Sequence, residues 1–384
     1  MLFLQATAAF GLEAVVGREL EALGLPPTEK EDGRVRFDGE PADLVRANLW
    51  LRAADRVQVV AEEFDCDDYD AFYETVRTLD WTQWIAYDAA FPVTGRSVRS
   101  ALGHVPTLQS MAKKAIAEAL CEARGDRPGS PVPEVGPPVP IEVNVRKDRV
   151  SLLLDTTGPG LHKRGYRDLT GPAPLKETLA AGIVLLSVWT RDRPLLDPCC
   201  GTGTLPIEAA LIGRNMAPGL HREFVAEGWP LAPPELWAEQ RAAAEAAILP
   251  PLEKPLQGGD IDRDAVSAAR RHAGRAGVGE DVHFQQRTIA EAGAKGSHGV
   301  LLANPPYGER LGDADAVHAD LAALLNRLGD WSAAILTPHP AFPSMVGRKA
   351  ERRRKLYNGT LACTLHQYLG PKPPALGGDP VPAG

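Results

Sequence analysis

The stretch PLLDPCCGTGTLPIEAALIG, residues 194–213, decides the fold. Pro194 to Leu196 reads as a short apolar strand, Asp197 closes it, CCGTGT makes a tight turn and LPIEAALIG opens a helix. Gly201 and Gly203 tolerate positive φ and leave no side chain in the way, so a ligand can approach the backbone at the carboxyl end of a parallel sheet. A dinucleotide fingerprint would need glycine where Pro206 stands, and the GK[ST] of a P-loop is absent. A carboxylate at Asp197 repels pyrophosphate and attracts the ammonium or sulfonium of S-adenosylmethionine. Pro198, Cys199 and Thr204 belong to the same cofactor cradle, with Cys199 and Cys200 read as packing residues rather than nucleophiles.

Working outward, GGDIDRDAV (258–266) supplies the next strand end. Asp260 is the candidate for the ribose hydroxyls and Ile261 for packing on adenine. Asp262 is a second ribose candidate or the cap of a helix beginning near Asp264. DVHFQQRT (281–288) is a third strand, with Thr288 placed to accept from the adenine amino group. GVLLANPPYGERLG (299–312) follows: an apolar strand, then a stiff loop whose prolines fix φ. An exocyclic amine is conjugated and poorly nucleophilic. The Asn304 amide oxygen and the Pro305 carbonyl, stiffened by Pro306, can bind its hydrogens and aim its lone pair at a methyl group. Tyr307 offers a flat surface for a base removed from its stack. This chemistry requires no metal.

The rest of the chain sets bounds. Its 384 residues exceed one ordinary core, and 44% hydrophobic with 24% charged residues is a globular composition. No run of about 18 apolar residues suggests a membrane span, and MLFLQATAAFGLE lacks the basic start of a signal peptide. Five cysteines without metal spacing point to reduced thiols and a cytoplasmic protein. A net charge of −8 argues against nucleic-acid binding by bulk electrostatics and leaves room for local basic patches.

Toward the N-terminus, LFLQATA, RVRFDG and RVQVVAEEF read as strands, with helices over 12–23 and 42–52 between them. A strand, a loop and an amphipathic helix follow in 91–123, then a proline-rich loop (127–140) and a hairpin in IEVNVRKDRVSLLLDTTG (141–158). From about residue 166 the pattern changes to alternating βαβ units, and the chain after Gly370 reads as a disordered tail.

The segments DPCCGTGTLPIEAALIGRNMAPGL, GGDIDRDAV, NPPYGERLG, RRKLYNG, LHKRGYR and APLKETLAA together resemble the bacterial THUMP-domain guanine-N2 RNA methyltransferases over nearly the whole chain. Members of that family modify large-subunit ribosomal RNA, and relatives modify tRNA. The resemblance implies an α/β fold: a Rossmann-like class I methyltransferase domain with an N-terminal α+β region. The implied divisions are a ferredoxin-like piece (1–60), a THUMP RNA-binding domain (61–165), the methyltransferase domain (166–370) and a tail (371–384). It implies that Lys176 and Glu177 lie beside the cofactor, with Asp197, Gly201, Gly203 and Asp260 lining it and Asn304 to Tyr307 forming the amine site. Thr288 stands where the family usually has Asp.

The expected partner is RNA, ribosomal or alternatively tRNA, with no membrane and no metal, the chain acting as a monomer. Its phosphates would be met by Lys113 and Lys114 on the THUMP helix, by Lys163, Arg164 and Arg167 in the link, and by the run Arg348, Arg352, Arg353, Arg354 and Lys355. The rival readings are a DNA adenine-N6 methyltransferase, since NPPY suits any exocyclic amine, a protein glutamine methyltransferase, and a non-catalytic RNA-binding or assembly protein.

Overall fold

The computed structural model describes residues 1–127, 129–167, 175–307 and 311–374, without side chains at 311–313. The chain divides into two compact units, one of Met1–Gly165, Glu177–Gly182 and Asn215–Ile248, the other of Tyr166–Lys176, Ile183–Arg214 and Leu249–Gly384. The residues after 374, within the segment read as a tail, lie outside the described residues.

In chain order the first unit begins β1 (Leu2–Ala8), α1 (Glu13–Ala22), β2 (Pro27–Glu31), β3 (Arg34–Gly39), α2 (Pro41–Trp50) and β4 (Ala54–Asp65). It continues with α3 (Tyr69–Thr78), β5 (Val93–Val98), α4 (Val105–Arg124), β6 (Ile141–Arg146) and β7 (Arg149–Asp155). Its seven strands form one sheet in the order β2-β3-β1-β4-β7-β6-β5, antiparallel except where β5 meets β6. The alternation in RVRFDG buries Val35 and Phe37 on one face. Helix α4 buries Leu108, Ala112, Ala115, Ile116 and Leu120, one stripe at helical spacing, and ends at Gly125 with φ +71°. Strand β4 is shared: its first half pairs with β1, Leu4 opposite Val59, and it runs on along β7 from Gln58–Asp155 to Asp65–Arg149. The β6–β7 hairpin turns through Lys147 and Asp148, both at positive φ as a two-residue primed turn requires, and Ser100 and Ala101 donate to the Asp148 carboxylate at 2.7 and 2.8 Å.

The remaining elements are α5 (Glu177–Leu186), β8 (Leu195–Asp197), α6 (Thr204–Gly213), α7 (Pro234–Ala246), β9 (Leu256–Asp260), α8 (Arg263–Arg275) and β10 (Val282–Gln286). After them come β11 (Val300–Ala303), α9 (Leu311–Arg327), β12 (Ser332–Thr337), α10 (Phe342–Val346), β13 (Arg352–Asn358) and β14 (Leu361–Tyr368). The second sheet runs β10-β9-β8-β11-β12-β14-β13, parallel from β10 to β12 and antiparallel at β14 and β13. Its central strands β8, β11 and β12 are buried at every residue, as the mostly apolar strands of a parallel sheet covered on both faces are, with Asp197, Ser332 and Thr337 the polar positions among them. Leu301, Leu321, Leu325, Ile335, Phe342 and Tyr368 pack into one core there.

Three features differ from the sequence reading. PTEKE of β2 carries no apolar alternation and is a strand because β3 offers it a partner. Helix α3 buries only Phe72 and Val76. The stretch Asn215–Ile248, expected within the βαβ run, packs with the first unit, where Gly219 donates to the Leu49 carbonyl at 2.9 Å and a Cβ on it would lie 2.8 Å from the Leu49 backbone.

Candidate active site

Strand β8 is only three residues long, yet it sits between β9 and β11, with Asp197 opposite Gly258 and Leu196 opposite Leu301. The ends of three neighbouring parallel strands therefore carry Asp197, Asp260 and Asn304. The glycine loop is laced to the next strand by backbone: Cys200 donates to the Gly259 carbonyl and Gly201 to an Asp260 oxygen, both at 2.8 Å. Gly203, at φ +87°, rests on the sheet so closely that a Cβ would lie 2.8 Å from Phe284 Cζ and 2.9 Å from Ala269 Cβ.

Asp197 is 1% exposed and accepts from the Cys199 amide at 3.2 Å. Burial, with the Asp260 charge adding to it, pushes its pKa up to about 8. A buried carboxylate of this kind costs free energy that an adjacent cation offsets. The donor set fits an ammonium-bearing ligand. Burial raises the Cys199 and Cys200 thiols as well, Asp197 reinforcing both, which suits packing rather than nucleophilic roles.

Asp260 accepts from Gly201 at one oxygen and from the Asp262 amide at the other, 3.0 Å, and its remaining lone pairs can take hydroxyl donors. Asp262 caps α8, accepting from Asp264 at 2.8 Å. Ile261 is 67% exposed, an apolar surface open to a flat partner. Thr288, two residues past β10, is spent on a local turn. Its hydroxyl and amide donate to the Glu291 carboxylate at 2.9 and 3.1 Å, and the Glu291 amide donates back at 3.3 Å. These donors, the amide first, hold Glu291 below the usual carboxylate range, so the negative charge near this strand end is Glu291's. Sequence reasoning missed Glu291, although the T-x-x-E of a capping box was visible.

In the acceptor loop, Pro305 is buried and Pro306 exposed, while Gly308, Glu309 and Arg310 lie outside the described residues. The Tyr307 hydroxyl donates to Asn304 Oδ1 at 2.5 Å, accepts from Asn358 Nδ2 at 3.2 Å and has Cys363 Sγ at 3.6 Å. Burial pushes the phenol well above its ordinary range. Tyr307 was expected to contribute only its ring face, and Asn358 and Cys363 were not expected at the site at all. Asn358 was visible only as part of RRKLYNG.

The basic residues divide. Lys114, Lys163, Arg348, Arg352, Arg353 and Lys355 are exposed. Arg354, half-buried, is less open. Lys113 bonds the Phe91 carbonyl at 3.0 Å and Glu134 at 2.5 Å. Arg164 corrects the expectation: it is 5% exposed, its guanidinium bonded to the Leu161 and Arg52 carbonyls at 2.8 and 2.5 Å, so it ties backbone together rather than meeting phosphate. Arg167 also differs, bonding the Leu175 carbonyl at 3.1 Å and the Thr204 hydroxyl at the start of α6. The division between compact units falls between exposed Lys176 and buried Glu177. Among the described residues no group of three or more His, Cys, Asp or Glu could hold a metal, and no helix is long and apolar enough to cross a membrane.

Strand-end acids flanking a glycine loop, with an asparagine-led proline loop on the neighbouring strand, define a class I, S-adenosylmethionine-dependent methyltransferase. The RMKL-like methyltransferase domain matches residues 164–367, preceded by the RlmL ferredoxin-like domain over 4–58 and the THUMP domain over 66–155. The chain belongs to the RMKL-like methyltransferase family. YpsC of Bacillus subtilis, provisionally named an RNA methyltransferase, is 40% identical over 95% of both chains. The ribosomal RNA large subunit methyltransferase K/L of Methylococcus capsulatus is 36% identical over 94% of this chain and 50% of its own. A Listeria monocytogenes structure, named a predicted N6-adenine-specific DNA methylase, superposes with a TM-score of 0.91 at 44% identity, covering 96% of each chain. The structure of SMU.472, provisionally named a methyltransferase, with S-adenosylhomocysteine does so with 0.92 at 40% identity, covering 97% of this chain and 99% of its own.

Proposed function

We propose that this protein transfers a methyl group from S-adenosylmethionine to the exocyclic N2 of a guanine in structured RNA, most concretely ribosomal RNA of the large subunit. The observation that carries the reading is the Asn304–Pro305 end of β11 beside the Asp197 end of β8, two adjacent parallel strands. Asp197 would hold the cofactor's ammonium, the 201–204 backbone its amino-acid end, Asp260 its ribose, and Ile261 with the Thr288–Glu291 turn its adenine. The cofactor supplies a methyl group made electrophilic by positive sulfur. Asn304 Oδ1 and the Pro305 carbonyl accept the two amine hydrogens, which turns the nitrogen lone pair out of conjugation and toward the methyl. With the cofactor bound, its methyl group would pass to that nitrogen as the sulfur leaves, and the nitrogen would lose one proton to solvent.

The choice of RNA is supported by the THUMP match and by relatives named for RNA, one of them for the large ribosomal subunit. Exposed Lys114, Lys163, Arg352, Arg353 and Lys355 would position phosphates without reading bases. The test is transfer from tritiated S-adenosylmethionine to separate pools of unmodified ribosomal RNA, tRNA and duplex DNA, followed by digestion to nucleosides. Label in N2-methylguanosine from ribosomal RNA is the expected result. N2-methylguanosine from tRNA moves the substrate, and N6-methyladenine from DNA overturns the reading.

A further inference from the structure

Resting on that reading, we propose that Asn358, at the end of β13, is a positioning residue for methyl transfer: through the Tyr307 hydroxyl it sets which end of the Asn304 amide faces the incoming amine. The argument is a count of protons. A phenol has one proton to donate and oxygen lone pairs to accept with. Asn358 Nδ2 donates to that oxygen at 3.2 Å and the Cys363 thiol lies against it as a second donor at 3.6 Å, so the phenol's own proton goes to the one acceptor among its partners, Asn304 Oδ1, at 2.5 Å. Only the oxygen end of an amide can accept it. The Asn304 carbonyl has two lone pairs; one is filled by Tyr307 and the other is left for the target amine.

Without this chain the Asn304 side chain could turn over and present NH₂, a donor where the reaction needs an acceptor. The NPPY loop alone does not choose, because its prolines fix the backbone and not χ2 of Asn304. The backbone of Asn358 is held from outside that loop: it closes a strand paired with β14 at every residue from Arg352–Gln367 to Asn358–Leu361. The buried Cys363 on β14 lies against the same hydroxyl.

The reading is tested with Tyr307→Phe, which keeps the ring and removes the proton, with Asn358→Ala, and with the double variant. Each single variant is expected to lower kcat about tenfold or more while cofactor Kd stays within about twofold, and the double variant to be no slower than Tyr307→Phe, because one relay is broken twice. Asn358→Asp, which draws the phenol's proton away from Asn304, should be as slow as Asn358→Ala. A wild-type kcat in Tyr307→Phe, or losses that multiply in the double variant, overturns the proposal. A readout that needs no RNA is the Asn304 side-chain amide resonance, identified by its loss in Asn304→Asp. It should shift alike in Tyr307→Phe and Asn358→Ala. An unmoved resonance in Asn358→Ala overturns the relay, whereas the absence of methyl transfer by the wild type, with the resonance moving as expected, counts against the RNA reading alone.

Discussion

The two loops of the catalytic domain are built on opposite principles. The loop after β8 is held through its own backbone amides, which bond the Gly259 carbonyl and the Asp197 and Asp260 carboxylates, and Gly203 lies close against Phe284. The loop after β11 is held by side chains, Tyr307 on Asn304 and Asn358 on Tyr307. A site that grips the cofactor needs a fixed cradle and one buried charge. A site that must admit a base needs groups that are oriented yet reachable. Binding and turnover should therefore separate cleanly when either loop is altered.

The largest effect is expected at Asp197. Asp197→Asn removes the carboxylate that becomes charged on pairing with the cofactor's ammonium and should weaken cofactor affinity by about 100-fold or more, on the order of 3 kcal/mol for breaking a buried pair, with RNA affinity unchanged. Calorimetry with S-adenosylhomocysteine checks it. Asn304→Ala is the converse: kcat should fall by about 100-fold with cofactor Kd within about twofold, the scale of losing one preorganised polar group at the reacting atom. If both variants damage binding and turnover equally, the contrast between the loops collapses.

The pH dependence sharpens it. Asp197 is raised from 3.8 to about 8, so the ligand-free protein carries a proton there at neutral pH, and pairing with a cation expels it. Cofactor affinity should rise from pH 6 to 8, by up to about tenfold per unit, with release of up to one proton. Asp197→Asn should flatten this profile. The same sign makes the ligand-free protein lose stability as pH rises from about 4 to 8, since the folded state holds the proton more tightly than the unfolded chain. Melting curves of wild type and Asp197→Asn across that window should diverge, the variant being the more stable at pH 8. The smallest effect is expected on β13, where Lys355→Ala should weaken RNA binding about threefold and reduce the salt slope by about 0.7, leaving cofactor affinity untouched.

What could be read in the sequence follows from how each loop is held. The cofactor loop is legible because strand, acid and glycines are contiguous in PLLDPCCGTGT, and Asp262 was visible as a helix cap beside Asp260. NPPY is legible for the same reason. Asn358 and Cys363 are not, because their contact with Tyr307 is made by sheet order, with β12 and β14 lying between β11 and β13. Charge was the weakest guide. The run LHKRGYR looks uniformly basic, yet only Lys163 is exposed among its Lys and Arg residues, and Arg164 is bonded to two backbone carbonyls. The packing of Asn215–Ile248 with the N-terminal unit had no local signal, because it depends on close approaches such as Gly219 to Leu49 rather than on a motif.

Strand β4 sets the order in which this chain can acquire structure. Its pairing with β1 closes a modest loop, but Val59 meets Leu154 only after the whole THUMP segment has been made. The unit also waits for Asn215–Ile248. During synthesis β4 must therefore keep one edge open until β7 has been made at Arg149–Asp155, and the helix that completes the unit, Pro234–Ala246, comes later still, a high-contact-order arrangement that folds slowly.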